Sequence, residues 1–258
     1  MLQRLLTIAI VAGVIAGAGA TLFQLVYSVP MIEEAELYET GAAASTITAQ
    51  SGTAATASGH SHDLGAFQGH AHGEDEWQPA GGLERNLYTF ASNILAAVGF
   101  ALLLVACLFL SGRAINAGTG ALWGAAGFAA FSLAPFFGLP PELPGMTAPD
   151  LVDRQIWWVG TALSTSIGIA LVAFSVRGLS RWAGIAAGTF FILAPHAVGA
   201  PELSGHAATS NVPAHLSAKF AVASLVHGAV LWVLLGVVAG WLFAKRFGDY
   251  GDGKPQGA

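Results

Sequence analysis

"LYTFASNILAAVGFALLLVACLFL", residues 87–110, runs without a single Asp, Glu, Lys or Arg. A helix needs about 20 such residues to cross the hydrocarbon of a bilayer. A helix is also the form in which one segment satisfies all its own backbone hydrogen bonds there. Five further stretches share this character: Leu5 to Val29, Thr119 to Gly138, Ile156 to Val176, Trp182 to Ala200 and Phe220 to Phe243. Of the 258 residues, 54% are hydrophobic and only 10% charged, against roughly 25% charged in a soluble domain. The sequence therefore reads as an all-α integral membrane protein of about six transmembrane helices in hairpin repeats.

The first stretch, "MLQRLLTIAIVAGVIAGAGA", has the basic start, apolar run and small-residue ending of a cleavable signal peptide. Its apolar character continues through "TLFQLVYSVPMI", longer than a signal core, so a retained helix is expected. Cleavage would leave five spans in the same orientation.

Orientation follows the basic residues, which collect on the cytoplasmic side. A cytoplasmic N-terminus places Arg4, Arg113, Arg177, Arg181, Lys245, Arg246 and Lys254 inside, seven of the ten Lys and Arg. All acids except Asp249 and Asp252 then lie outside. The expected plan is a first helix (1–30), an outer loop (31–85), a membrane bundle of five helices (86–246) and a short polar cytoplasmic tail (247–258), in a bacterial inner membrane. Within the outer loop, "EEAELYE" continues the first helix, and a small-residue tether leads to a histidine-rich segment.

Two stretches repeat at an offset of sixty residues: "LAPFFGLPPELPG" from Leu133 and "LAPHAVGAPELSG" from Leu193. Each closes an odd-numbered span, and a basic residue, Arg154 or Lys219, opens the even span that follows. Pro30, Glu33 and Arg85 extend the pattern weakly to the first pair, which suggests three related hairpins, like the parallel repeats of some transporters. Glycines four apart, Gly13 and Gly17, Gly120 and Gly124, Gly184 and Gly188, Gly236 and Gly240, are expected to let helix backbones pack closely.

The densest chemistry is "GHSHDLGAFQGHAHGEDE", where His60, His62, His70 and His72 form two His-x-His pairs beside acidic residues. Neutral imidazole suits divalent nickel, cobalt, copper and zinc. The segment is expected to collect metal, although four histidines on a solvated loop can also be incidental. His196 follows the second Leu-Ala-Pro, and His227 lies two turns into the last span. Ionisable residues at membrane depth tend to line a path or to pair. With Glu142, Glu202 and His206 nearby in sequence, these two histidines are candidate ligands. Glu142 and Glu202 have a turn reading as well, because proline and glycine flank them. Asn93 stands eight residues after Arg85, as His227 stands eight after Lys219.

Other classes find no support. The single cysteine, Cys107, excludes an intrachain disulfide. "GDYGDGK" ends at Lys254 before Pro255, where a phosphate-binding loop needs Ser or Thr. No nucleic-acid-binding pattern, protease motif or resident cofactor is expected, and the chain is not read as an enzyme.

The stretches "VPMIEEAELYE", "W-x-P-A-x-G-L-E-R-x-L-Y-T" from Trp77, "LWGAAGFAAFSLAPFFGLPPELPGM", "RQIWWVGTALST", "LAPHAVGAPE" and "F-A-x-A-S-L" resemble the CbtA cobalt transporter subunit family across nearly the whole chain. The resemblance implies a membrane protein for cobalt uptake, linked to cobalamin synthesis, with five spans. It also implies a small single-span CbtB-like partner with a histidine-rich end. The histidine-rich loop is an elaboration on that pattern. The expected function is capture of divalent cobalt, or nickel, on the outer face and its passage inward. The alternatives are a metal-binding or sensor subunit that moves nothing alone, and a proton- or small-solute-conducting bundle. A homo-oligomer in the lipid bilayer is a further expectation.

Overall fold

The computed structural model describes residues 1–39, 79–80, 82–175, 179–202 and 210–247. Among these the chain is helical, without a strand. Helix α1 spans Leu2–Tyr27, and a turn at Ser28, two residues before Pro30, separates it from helical residues 29–39 (α2). Then follow α3 (Leu83–Leu110), α4 (Ala117–Phe136), α5 (Leu151–Phe174), α6 (Leu179–Val198) and α7 (Ala214–Phe247). Among the described residues the starts of α4 and α5 are capped by side chains. Asn116 and Thr119 form a reciprocal capping box on α4, and Asp150 accepts from the N–H groups of Val152 and Asp153 on α5.

Among the described residues the six expected apolar stretches are helical except for one or two residues at or near their ends. Among the described residues five helices are long and apolar enough to cross a membrane: α1, α3, α4, α5 and α7. The remaining stretch, Trp182 to Ala200, forms α6, in which Arg181, Pro195 and His196 dilute the apolar run. Leu95, Leu110, Leu122, Phe190 and Val198 are exposed. An apolar surface of this extent is at odds with water and suited to lipid.

The core is a four-helix arrangement in which α1 packs on α3 and α7, and α7 packs on α4. Ile8, Ala9, Ala12 and Ala16 of α1 are buried there with Leu104, Leu108, Trp232 and Leu235. The first segment is thus an integral part of the core, and its removal would bare the inner faces of α3 and α7. Packing follows the glycines. A Cβ on Gly120 would come within 2.3 Å of the Gly236 carbonyl oxygen, and one on Gly13 within 2.6 Å of the Val98 backbone. α5 and α6 form a separate antiparallel pair with Gly168 against Gly188, and α5 joins the rest through the C-terminal half of α4. The sequence repeat pairs α4 with α5 and α6 with α7 along the chain; in space the tightest partners are instead α5 with α6 and α4 with α7.

The acids that open or close these helices gather at one end of the bundle. There a second small core forms as Ala35 of α2, Leu143 of the α4–α5 loop, and Val212 and Leu216 at the start of α7 bury one another. We refer to this as the acidic end.

Candidate functional site

Both Leu-Ala-Pro copies lie within helix at the acidic end. A helical proline offers no N–H, and its ring crowds the carbonyl four residues earlier. The two copies meet this strain differently. In α4, residues Ala129–Leu133 widen into a π turn just before Pro135, with the Ala134 N–H reaching the Ala129 carbonyl. In α6 the helix continues through Pro195. The carbonyl four residues back, that of Phe191, accepts a hydrogen bond from Ser164 Oγ of α5 at 2.5 Å. A hydroxyl from a neighbouring helix thus replaces the donor that proline lacks.

His196 follows that proline. Its ring stands edge-on to Trp157 of α5 at 6.0 Å and to Phe137, just past α4, at 6.4 Å. Trp157 fills the space that a side chain at Gly138 would need, where a Cβ would come within 2.2 Å of the indole. The indole is therefore wedged between the ends of the two copies. Beside it opens a hollow of about 360 Å³ lined by Asp153, Ile156, Trp157, Gly199, Ala200 and Pro201.

Glu142 stands in a turn and is paired with a helix-opening arginine. Leu143 is buried and Gly145 takes a φ of +79°, which forms the turn. The Glu142 carboxylate accepts from Arg154 Nη1 at 3.0 Å. Burial strips water from this carboxyl and pushes its pKa above the usual carboxylate range, while the Arg154 charge pulls the other way. The relationship recurs in the first hairpin, where Arg85 donates to both carboxylate oxygens of Glu36, one of them at 3.2 Å.

The other expected ligands are dispersed. Glu202 is exposed, and His227 sits in α7 with its Nε2 buried and without a hydrogen-bond partner. Among the described residues no three His, Cys, Asp or Glu side chains group as a metal site. His196, Glu142, Glu202 and His227 therefore do not form one centre. His60, His62, His70, His72 and His206 lie outside the described residues. Asn93 ties α3 to α1, donating to Thr21 Oγ1 at 3.1 Å and Gln24 Oε1 at 2.6 Å.

Sequence reasoning passed over the polar face of α5. Arg154 Nε, Trp157 Nε1, Thr161 Oγ1 and Thr165 Oγ1 are buried without a hydrogen-bond partner; among the described residues only His227 Nε2 shares this condition. Each such group costs about 1–3 kcal/mol when left dry. The signal was present as polar residues recurring at steps of three, four and four in "RQIWWVGTALST".

No curated protein and no solved structure matched the chain. A family model described as "Probable cobalt transporter subunit (CbtA)" matches residues 2–244. With an all-helical bundle of membrane-crossing length and a match over nearly its whole extent, the chain belongs to the CbtA family of probable cobalt transporter subunits.

Proposed function

We propose that this chain is the membrane-embedded subunit of an uptake system for divalent cobalt, with entry at the acidic end, which faces outside. The observation that carries this reading is the wedge of Trp157 between Gly138 and His196. It sets the His196 imidazole 6.0 Å from the Trp157 indole, which lines the same hollow as Asp153, in a chain whose family is a probable cobalt transporter subunit. Nitrogen and oxygen donors suit a divalent first-row ion as it sheds water. His60, His62, His70 and His72 collect the ion, Glu202 and His206 receive it near the mouth, and His196 passes it toward Glu142 and His227. Imidazole intrinsically prefers nickel, copper and zinc to cobalt, so selectivity comes from geometry or supply, and nickel is the alternative cargo. Ligation needs neutral imidazole, so capture weakens as pH falls through about 6.5. A small single-span CbtB-like subunit and further copies of this chain are the proposed partners in an inner membrane.

A second reading, a metal-binding subunit that moves nothing alone, is favoured by the dispersal of the described histidines and acids. Cobalt and nickel uptake into vesicles carrying this chain, with and without the single-span partner, separates the two. Under the first reading His196→Ala lowers uptake at every metal concentration, whereas deleting residues 60–72 lowers it only when metal is scarce. Absence of uptake under any condition, with metal still bound by the loop, would establish the second. Transport that ignores metal identity and presence would instead favour a proton- or small-solute-conducting bundle.

A further inference from the structure

Two of the three basic residues that open helices in the sequence repeat are held by acids, Arg85 by Glu36 and Arg154 by Glu142. The third is not. Lys219 is exposed and makes no ion pair among the described residues, and Glu202, its counterpart acid in the repeat, is exposed as well. Lys219 stands instead on the wall of a groove of about 680 Å³ between α1 and α7, towards the acidic end. Deeper in the bundle these helices touch, and a Cβ on Gly19 would come within 2.6 Å of a Leu234 methyl group. Nearer the acidic end they part. Phe23, Val26 and Tyr27 line the groove from α1, and Lys219, Val222 and Val226 line it from α7.

We infer that this groove binds an anionic phospholipid, with an acyl chain along its walls and the phosphate at Lys219. Apart from Lys219 and Tyr27, no lining side chain carries a charge or a hydroxyl. Water in such a space would lack hydrogen-bond partners, whereas an acyl chain needs none. From Lys219 to Val226 is about 10 Å along the helix axis, within the roughly 15 Å of hydrocarbon that one leaflet contributes. The lysine stem can lie on the apolar wall while its ammonium reaches the headgroup level, where it meets phosphate as a point charge. Tyr27 ends α1 on the same groove, and aromatic residues with a polar tip collect at the membrane interface. The charge selects the occupant. An apolar helix of another chain would cover the walls but leave Lys219 without a counter-charge, which a phosphate supplies. The site is separate from the hollow beside Trp157 and does not depend on which cargo that entry takes.

The test keeps the full chain in mild detergent with equal amounts of phosphatidylglycerol and phosphatidylcholine of matched acyl chains, and counts retained lipids by native mass spectrometry. The natural chain should hold one phosphatidylglycerol that Lys219→Gln holds about fivefold more weakly, the worth of one lysine near an anionic surface. Lys219→Arg should keep it. Lipids held at the basic end, near Arg113 and Lys245, are common to all these variants and cancel in the comparison. Val226→Trp, which fills the groove, should lose the same lipid, whereas Val233→Trp, exposed on the same helix outside the groove, should not. A second readout guards against a loosened fold: added phosphatidylglycerol should raise the thermal midpoint of the natural chain and Lys219→Arg more than that of Lys219→Gln. Equal retention in Lys219→Gln, or in Val226→Trp, overturns the inference. So does phosphatidylcholine held as well as phosphatidylglycerol at this site, or a dimer of the chain that carries no lipid and is dispersed by Val226→Trp.

Discussion

Arg154, four residues into α5, holds Glu142 of the preceding loop at 3.0 Å, and Arg85 holds Glu36 in the same relation one hairpin earlier. In both, a basic residue opening a helix reaches back to an acid near the end of the segment before it. The charges repeat even where the helix neighbours do not.

Because burial raises the Glu142 pKa, the folded protein favours the protonated acid more than the unfolded chain does. Its contribution to stability is therefore full below the ordinary carboxylate value and is lost as pH rises through the raised value. Thermal melts of the solubilised protein should show Glu142→Gln gaining on the natural chain across that window. The gain should be less than about 1 kcal/mol, because the pair is partly solvated. A pH-independent difference would contradict the assignment.

Ser164 and Pro195 should be energetically coupled through the Phe191 carbonyl. Ser164→Ala is expected to cost about 0.5–1.5 kcal/mol in the natural background. It should cost markedly less in Pro195→Ala, where residue 195 regains an N–H for that carbonyl. A double-mutant cycle on unfolding in mixed micelles measures the coupling, and additive costs would dismiss it.

The α4–α7 contact leaves no room for a side chain at Gly120 or Gly236, where a Cβ would lie 2.3 and 2.4 Å from the facing carbonyl oxygens. Both neighbours are backbone and cannot step aside. Gly236→Val should cost at least about 3 kcal/mol, seen as loss of folded protein in membranes. Gly160→Ala on α5, with nothing within 4 Å, should stabilise by about 0.5–1 kcal/mol.

Asn93 should act as a tie between helices. Asn93→Leu removes its bonds to Thr21 and Gln24 and is expected to lower stability by about 0.6–1.7 kcal/mol, with metal uptake per folded molecule unchanged. A selective loss of uptake would instead place Asn93 on the path, at the depth its spacing from Arg85 suggested.

Much of the fold was legible because lipid imposes a coarse rule: long uncharged stretches become helices, and glycines four apart mark where they touch. Gly120, Gly124, Gly236 and Gly240 show this directly. The partners were not legible, because a glycine pair says that a helix is approached closely and not by which helix. The repeat from Leu133 and Leu193 accordingly suggested hairpins that the packing rearranges. At the site, His196 and Glu142 stood out as ionisable residues near the membrane. Trp157, Thr161 and Thr165 did not, since an indole and two hydroxyls in an apolar stretch look like ordinary packing until their hydrogen bonds are traced.

The position of α1 bears on how the protein is made. Its innermost face is completed by α3, which follows it closely in synthesis, and by α7, which is the last helix described. Ala9, Ala12 and Ala16 must therefore wait in the bilayer, without their later neighbour, until α7 has been inserted. This core is closed only when α7 arrives, so a ribosome that stalls before α7 leaves an open intermediate, a ready substrate for membrane quality control.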